Sequence, residues 1–376
     1  MTTRAQTGNL LPTARPSVGD DEAAAVAEVL ASGWLGSGPK SRAFEEALAE
    51  VLGVEHVVVV ANGTAAIHVA LEAFGLGAGD EVIVPSLTFA ACVQAILATG
   101  ARPVFAEIER DTVCIDVDDA AARVTSRTKA IVPVHYGGRP CNLDALTEIG
   151  PLVISDAAHA FGSTYRGRPV ATYGDASTFS FDPIKTITCG EGGAVALHDA
   201  DIAQRIRRLR VLGIDTEGYA RANAQRFHGQ VVVDHGFRYH LSDINAAIGL
   251  EQLKKYEWLR DRRRAILARY QEALREVDGV ALLDADPAEV VPFHFVLRVL
   301  RDRDGVLAAL REGGIAAGVH YPPNHLQPAF AEFEEGPLPV TEEVGNQILT
   351  LPLFPDLSDE QVDFVCETLV AALARS

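Results

Sequence analysis

Positive charge is scarce in this sequence. It contains 33 Lys and Arg residues against 51 Asp and Glu, which leaves a net charge of −18. Proteins that bind nucleic acids neutralise phosphates with clustered Lys and Arg, so this balance argues against a nucleic-acid partner. Any anionic ligand must therefore meet a local basic site.

Cysteine is rare as well, with five residues in a chain of 376. They are Cys92, Cys114, Cys141, Cys189 and Cys366. Their number is odd and no two form a CxxC pair, so we expect neither a disulfide framework nor a metal site. A reducing cytoplasm is the expected location.

Long apolar runs are missing too. No segment approaches the roughly 20 apolar residues of a membrane-spanning helix, and residues 1–14 lack the apolar centre of a signal peptide. The sequence therefore predicts a soluble, untargeted protein with no membrane partner. Its 48% hydrophobic residues are still ample for a large core and for two domains.

Strand and helix patterns alternate in the first part of the chain. Strands are predicted at 57–60, 82–85, 103–108, 129–135 and 152–156, and helices at 20–32, 41–51 and 89–98. Such alternation predicts βαβ units and a mostly parallel sheet.

The pattern changes after residue 253. A long helix at 254–277, whose arginines at 260 and 262–264 are expected on a solvated face, leads out of the first domain. Strands within 280–300 and at 318–321, with helices at 304–312 and 358–374, predict a smaller α/β domain. We therefore expect a large domain with an N-terminal arm at 1–253 and a small domain at 254–376.

One lysine stands out in the middle of the chain. Lys185 is the only lysine between Lys129 and Lys254, and it lies in a Pro-containing turn between an aromatic-rich strand and a Gly-rich segment. Partly buried surroundings would lower its pKa, as a Schiff-base lysine requires. A lysine in a turn is more often an ordinary surface residue, so the decision depends on its neighbours.

A possible phosphate site lies where the first strand ends. The run Ala61-Asn62-Gly63-Thr64-Ala65 is a tight turn that opens a helix. Gly63 permits close approach of the backbone to a ligand, and Thr64 with the first free amides can hold a phosphate. Taken alone, the same residues are equally typical of ordinary helix capping.

Two further strand ends carry polar or aromatic residues. Phe89 follows the strand at 82–85 and could cover a flat cofactor, although a core phenylalanine is the simpler interpretation. Asp156 ends a buried strand, where a carboxylate is costly unless it meets a cation such as a pyridinium nitrogen, or simply caps the next turn. His159 follows closely enough to reach another edge of the same ring.

Together these residues supply what pyridoxal phosphate (PLP) needs. A lysine binds the cofactor, an acid keeps the pyridine nitrogen protonated, and amides with hydroxyls hold the phosphate. Ser180, just before Lys185, can add a hydroxyl to that phosphate site.

The ordered set of motifs resembles the DegT/DnrJ/StrS family of PLP-dependent sugar aminotransferases over nearly the whole chain. The similar segments are Gly33 to Pro39, Asn62 to Ala66, Pro85 to Ala90, Pro103 to Thr112, Asp156 to Gly162, Phe179 to Val195, Gly236 to Leu253, His320 to Gln327 and Leu349 to Leu357. The resemblance implies an α/β fold of the type I PLP-dependent class, with a mixed, mostly parallel sheet in the large domain.

The resemblance also implies roles for individual residues. Lys185 would be the Schiff-base lysine and proton shuttle, and Asp156 would pair with the pyridine nitrogen. Phe89 would stack on the ring, while the phosphate would be held by Gly63, Thr64, Ala65 and Ser180.

Several implied positions depart from the family or are less specific. His159 stands where many members have glutamine, and its protonation would then matter. Arg238 stands where members commonly have asparagine, and it is expected to reach the cofactor phosphate of the neighbouring subunit in a homodimer with shared active sites. Trp34, His320 and Tyr321 are candidate substrate contacts, and the loop that carries Trp34 could equally be a buried hinge.

The activity that follows from the resemblance is transfer of an amino group from glutamate or glutamine to a nucleotide-linked keto sugar. The residues Tyr239-His240-Leu241-Ser242-Asp243 are more similar to members that aminate C4 of a 4-keto-6-deoxy sugar than to those that aminate C3. A keto-cyclitol aminotransferase and a non-catalytic sugar-binding regulator remain alternatives. A dehydratase of the same fold is disfavoured, because there the lysine is replaced by histidine.

Overall fold

The computed structural model describes residues 10–215 and 231–375. Seven strands form its large sheet, in the order β1-β9-β8-β5-β4-β2-β3. Their bounds are β1 His56–Val60, β2 Glu81–Pro85, β3 Arg102–Ala106, β4 Thr128–Ile131, β5 Leu152–Asp156, β8 Ala176–Ser180 and β9 Gly193–Leu197. Strand β9 is antiparallel to both β1 and β8, and the other neighbours pair in parallel. The prediction of a mixed, mostly parallel sheet is confirmed.

Helices cover both faces of this sheet. They are α1 Asp20–Ser32, α2 Pro39–Leu52, α3 Gly63–Ala73, α4 Ala90–Ala98, α5 Val117–Ala122, α6 Leu143–Glu148, α7 Ala200–Leu209, α8 Asp243–Lys254 and α9 Tyr256–Leu274. A separate two-residue ribbon joins β6 Thr164–Tyr165 to β7 Arg168–Pro169.

The alternation of side chains along a strand explains this layering. In β1, Val58 and Val60 face a core shared with α3, α4 and α7, whereas Val57 and Val59 face a core shared with α2 and α8. Strands buried on both faces read as continuous apolar runs, which is why β1 appears in the sequence as four valines. The carboxyl ends of β1, β2, β5 and β8 are thereby brought to one edge.

A smaller antiparallel sheet lies in the C-terminal part, with β10 Val280–Leu282, β11 Phe295–Val299 and β12 Ile348–Leu351. Helices α10 Arg303–Glu312, α11 Pro339–Gln347 and α12 Asp359–Leu373 accompany it. Leu11 of the N-terminal arm packs against the core of this smaller sheet and hydrogen-bonds to Gly314. The domain boundary at residue 253 stays a prediction.

Three predicted elements were wrong in detail. Strand β4 ends at Ile131 and not at 135, because Pro133 has no N–H for the ladder. The helix expected from 254 to 277 is interrupted at Lys255, whose φ of −105° and ψ of 10° are not helical. Residues 318–321 form no strand, since only Gly318 pairs, with Thr350; the third strand of the small sheet is β12 instead.

In residues 10–215 and 231–375, no helix has both the length and the apolar character needed to cross a bilayer.

Candidate active site

A cavity of about 440 Å³ opens at the carboxyl ends of β1, β2, β5 and β8. Ligands of open α/β sheets collect at this edge. The cavity is lined by Asn62, Gly63, Thr64, Ile67, Thr88, Phe89, Ala91, Val134, Asp156, Ala158, His159, Ser180, Asp182, Ile184, Lys185, Glu191, His320 and Tyr321. Most of the residues singled out in the sequence therefore share one cavity.

The N-terminus of α3 forms one wall. A Cβ at Gly63 would lie only 2.8 Å from the Cβ of Ser180, so glycine lets the helix start lie directly against that serine. Thr64 lines the cavity, whereas the amide of Ala65 donates to Oδ1 of Asn62 at 2.8 Å. The helix start and the two hydroxyls therefore form a cradle for an anion, in which the Ala65 amide is already engaged.

Lys185 lines the same cavity. Its Nζ is 4.1 Å from the centre of the Phe293 ring. Burial lowers the pKa of Lys185 to about 8, although the charges of Asp156 and Asp182 oppose that shift. An amine with this pKa is partly neutral near physiological pH and can act as a nucleophile.

Asp156 is buried at the end of β5. Its Oδ1 accepts the N–H of Ala158 at 2.9 Å, so the carboxylate does cap the following turn. Its Oδ2 accepts the thiol of Cys92 at 2.9 Å. The carboxylate also lines the cavity, so turn capping and ligand binding are compatible for this residue.

Phe89 precedes α4 at the rim of the cavity. Its side chain is 54% exposed, and its ring centre lies 5.2 Å from that of Tyr321. An aromatic side chain this exposed beside a cavity is well placed to cover a flat ligand, and it is not the core residue that the simpler interpretation suggested.

His159 is buried and stacks on Phe293 with ring centres 4.3 Å apart. Its Nδ1 accepts the backbone N–H of Gly137 at 3.4 Å, and its Nε2 is 3.4 Å from the hydroxyl of Tyr321. Burial lowers the pKa of His159 well below its ordinary value, with Lys185 adding to the effect. The ring is therefore neutral, and because Nδ1 accepts, the proton is on Nε2.

His320 and Tyr321 reach the cavity from the C-terminal part. Nδ1 of His320 is 2.9 Å from Oγ1 of Thr350, and the hydroxyl of Tyr136 donates to the His320 carbonyl. His294 lies behind this pair, 5.7 Å from His320 and 5.0 Å from His159 between ring centres. His159 and His320 thus line the cavity near Lys185, with His294 packed behind them.

Arg263 corrects the prediction of a solvated arginine face on α9. Its side chain is fully buried and donates to the carbonyls of Pro292 at 3.2 Å, Phe293 at 3.0 Å and Lys185 at 3.3 Å. Burial lowers the pKa of Arg263 to about 10. The guanidinium therefore joins the lysine turn to the segment that carries Phe293.

Besides Ala65, whose amide is engaged by Asn62, two predicted residues do not line this cavity. Trp34 donates from Nε1 to the carbonyl of Ser37 at 3.1 Å, within the loop before α2. Asp243 holds that loop through its carboxylate, which accepts from the amides of Gly38, Lys40 and Ser41 and from the hydroxyl of Ser41.

Arg238 is the second residue outside the cavity, and its backbone bridges to Val211. The roles predicted for Trp34 and Arg238 stay predictions.

The charge of the cavity is unbalanced. Among the described residues that line it, Asp156, Asp182 and Glu191 carry carboxyl groups, while Lys185 is the only Lys or Arg. Burial and the neighbouring Asp182 raise the pKa of Glu191. A phosphate placed beside Ser180 would need a further cation that these residues do not supply.

The model of the DegT/DnrJ/EryC1/StrS aminotransferase family matches residues 16–370. The chain belongs to this family. The predicted family and the prediction of an aminotransferase are therefore confirmed, and so is the α/β fold of PLP-dependent aminotransferases.

Solved structures of family members superpose over almost the full length. The aminotransferase TlmJ of Streptoalloteichus hindustanus is 36% identical, with 96% of this chain and 98% of that one covered and a TM-score of 0.89. PseC of Helicobacter pylori, an aminotransferase of pseudoaminic acid biosynthesis, is 28% identical, with 98% and 100% covered and a TM-score of 0.91.

The cofactor prediction is confirmed at the level of the family, which is PLP-dependent. Spr1654 of Streptococcus pneumoniae, a candidate sugar aminotransferase, was solved in PLP and PMP forms. Its PLP form is 29% identical, with 97% of this chain and 99% of that one covered and a TM-score of 0.91.

The cavity of this family member fits that cofactor. It brings together an amine, a carboxylate, an exposed ring and a helix start, and the glycine at 63 lets that helix start lie against Ser180. These are the groups that a pyridine ring with an aldehyde and a phosphate requires.

Sequence reasoning missed several residues of the site. Asp182 and Glu191 lie in the same motif as Lys185 and could have been found there. Cys92 lies one turn after Phe89 on α4, a weak signal. Phe293 and Arg263 lie far from Lys185 in the sequence, and no motif around either residue indicates that it contacts the lysine turn.

Proposed function

We propose that this enzyme transfers an amino group from glutamate or glutamine to a nucleotide-linked keto sugar, at C4 of a 4-keto-6-deoxyhexose joined to dTDP, UDP or GDP. The observation that carries the proposal is the presence of Lys185 and Asp156 in one cavity, with the helix start at Gly63 beside them. Membership of a family that includes sugar aminotransferases supports the substrate class. The similarity of residues 239–243 to members that aminate C4 supports that position.

The proposed roles follow from the geometry. When bound, PLP supplies an aldehyde that takes up the amino group and a ring that delocalises negative charge. Nζ of Lys185 would hold the cofactor through its aldehyde and would later accept and return a proton, and a pKa of about 8 suits both roles. Asp156 holds the ring nitrogen, and Phe89 excludes water from one face of the ring.

Further roles concern the two ends of the cofactor. Nε2–H of His159 donates to the phenolic oxygen, in place of the amide that many members have. Thr64, Ser180 and the amides at the start of α3 hold the phosphate. We place Trp34, His320 and Tyr321 near the sugar.

A homodimer is part of this proposal. The cavity's surplus of carboxyl groups supports an additional cation from outside the chain, and Arg238 of a second copy is the candidate. A planar guanidinium suits a phosphate because it can donate two parallel hydrogen bonds. Five buried free cysteines support the cytoplasm as the location.

The alternatives differ in substrate or in chemistry. A C3-specific enzyme or a glutamine-dependent keto-cyclitol aminotransferase would use the same cofactor residues. A regulator that only binds a sugar has no need of a desolvated lysine facing a carboxylate, so Lys185 and Asp156 argue against it.

The substrate is tested with a panel of 4-keto and 3-keto nucleotide sugars and a keto-cyclitol, each with glutamate or glutamine, followed by mass spectrometry. We expect an amine product from a 4-keto-6-deoxy sugar. Lys185→Ala should reduce turnover by at least about 100-fold, since acid–base catalysis alone contributes that much. Borohydride reduction should attach the cofactor to the peptide that contains Lys185.

The exposed Lys129 supplies the control, and Lys129→Ala should leave both results unchanged. Turnover by Lys185→Ala at the normal rate would refute the assignment of the lysine. An amine product formed only from the cyclitol or from 3-keto sugars would replace the proposed substrate and leave the cofactor residues in place.

A further inference from the structure

Cys92 lies directly beneath the carboxylate of Asp156. Its side chain is 0% exposed, and its Sγ is 2.9 Å from Oδ2 of Asp156. The other carboxylate oxygen accepts from the N–H of Ala158, also at 2.9 Å. Both oxygens of the acid are therefore fixed by partners from two different elements, α4 and the turn after β5.

The thiol is the donor in this contact. An ionised carboxylate can only accept, and it offers about four lone-pair positions, of which Cys92 and Ala158 occupy two. Burial, and then the charge of Asp156, raise the pKa of Cys92 well above its ordinary value. Cys92 therefore keeps its proton, and one acceptor position on each oxygen stays open for a ligand.

The first turn of α4 carries Cys92 and is itself well anchored. The side chain of Asn324 donates to the carbonyls of Ser86 at 3.0 Å and Thr88 at 2.7 Å, immediately before the helix. Phe89 and Cys92 are connected by a backbone hydrogen bond of 3.2 Å. The same turn thus presents Phe89 at the rim and Cys92 under the acid.

We propose that Cys92 is a positioning residue, whose thiol holds the Asp156 carboxylate in the orientation that meets the pyridine nitrogen of PLP. This inference rests on the role proposed above for Asp156. Together with the amide of Ala158, this weak donor fixes the carboxylate plane without occupying the position that the ring N–H needs. Removal of the thiol leaves only Oδ1 held, so the oxygen on the other side loses its fixed orientation toward the ring nitrogen.

The test compares Cys92→Ser, which keeps a donor, with Cys92→Ala and Cys92→Val, which remove it. Apoenzyme of each is titrated with PLP to obtain the dissociation constant, and the visible absorption of the bound cofactor is followed against pH. We expect Ala and Val to weaken binding about fivefold to tenfold, the size of one hydrogen bond to a charged group, and to shift the pH profile. Ser should stay within about twofold of the wild type.

Cys366 in the core of the smaller sheet provides the matched control, because Cys366→Ala removes a buried thiol that does not touch Asp156. It should leave the dissociation constant and the pH profile unchanged. A melting curve of each variant shows that it is folded, and Cys92→Val fills the volume if Cys92→Ala is too unstable to study.

Asp156→Asn separates the two levels of the proposal. Suppose that Asp156→Asn weakens PLP binding and shifts the pH profile. The inference about Cys92 alone is then overturned if Cys92→Ala and Cys92→Val match the wild type, or if Cys92→Ser binds PLP as weakly as Cys92→Ala. If Asp156→Asn behaves as the wild type, the proposed role of Asp156 fails, and the inference fails with it.

Discussion

Burial sets the charge of the basic side chains around the cavity. It lowers the pKa of Lys185 to about 8 and that of His294 well below its ordinary value. Among the described residues neither ring nitrogen of His294 has a hydrogen-bond partner, and the charged or titratable groups that face it are His320, His159, Tyr136, Arg139 and Lys185. A neutral imidazole is the only form that this environment tolerates.

His294 should therefore make stability fall in mild acid. The folded pKa lies below the ordinary value of about 6.5, so the unfolded chain binds the proton first and unfolding is favoured as pH falls below 6.5. Between pH 7.5 and 5.5 the free energy of unfolding of His294→Phe should fall by about 1.4 kcal/mol less than that of the wild type. Urea denaturation at the two pH values measures this difference.

The two proteins should run parallel between pH 7.5 and 8.5, where the imidazole is neutral in both states. Equal losses in acid for His294→Phe and the wild type would mean that His294 takes up a proton in the folded protein.

At the scale of single residues, short motifs could be predicted and long-range partners could not. Ser180 and Lys185 lie in one short motif, and Asp156 ends a strand that is visible in the sequence as an apolar run. By contrast, Cys92 meets Asp156 only because β2 and β5 end at the same edge of the sheet. Arg263 is buried because three backbone carbonyls accept from its guanidinium, and the periodicity of the sequence does not predict those contacts.

The loop between α1 and α2 depends on one side chain of another helix. Asp243, at the start of α8, accepts three backbone N–H groups and one hydroxyl from residues 38–41 at 2.7 to 3.1 Å. It is buried, and a Cβ on Gly38 would lie 2.9 Å from its Oδ2. The carboxylate thus serves as the anion at the start of α2, whose N-cap residue is a glycine without a side chain.

Asp243→Asn should lower the free energy of unfolding by about 1.5–3 kcal/mol, because the amide has one acceptor fewer and is uncharged. Asp199→Asn is the control, since Asp199 caps α7 in the same way at an exposed position and asparagine is an equally good cap. Urea denaturation of both variants gives the comparison. A loss at Asp243 no larger than that at Asp199 would contradict the importance of this anchor.

Elements were predicted best where pattern and punctuation agree. Helix α1 and strand β5 have the predicted bounds, because each is an uninterrupted pattern with a clear stop. Strand β4 ends before Pro133, and the proline was a sequence signal from which this earlier end could have been predicted. The break at Lys255 and the pairing of β12 with β11 have no local signal in the sequence.

At the scale of the whole molecule, we propose that a second copy of the chain supplies the cation that the cofactor phosphate needs. The described residues of one chain line the cavity with three carboxyl groups and one amine, and Arg238 of the same chain lies outside. In a twofold dimer each site would then combine Lys185 of one subunit with Arg238 of the other.

Mixed dimers test this arrangement. Lys185→Ala and Arg238→Ala subunits should each be inactive as homodimers, but unfolded together and refolded they should regain about a quarter of wild-type activity, because half of the dimers are mixed and each has one intact site. Activity is measured after size-exclusion chromatography confirms dimers. A mixed population as inactive as its parents would place Arg238 in its own subunit's site or in none.

The contacts of Arg263 limit how a substrate can enter. Its guanidinium joins the lysine turn to the Phe293 segment, so movement of the smaller sheet away from that turn would break its bond to the Lys185 carbonyl and leave a buried cation with one acceptor fewer. We therefore expect ligands to enter the cavity at the rim where Phe89 and Ile184 are exposed. For the nucleotide-linked sugar that we propose as substrate, entry at this rim would leave the bulky nucleotide outside while only the sugar reaches the cavity.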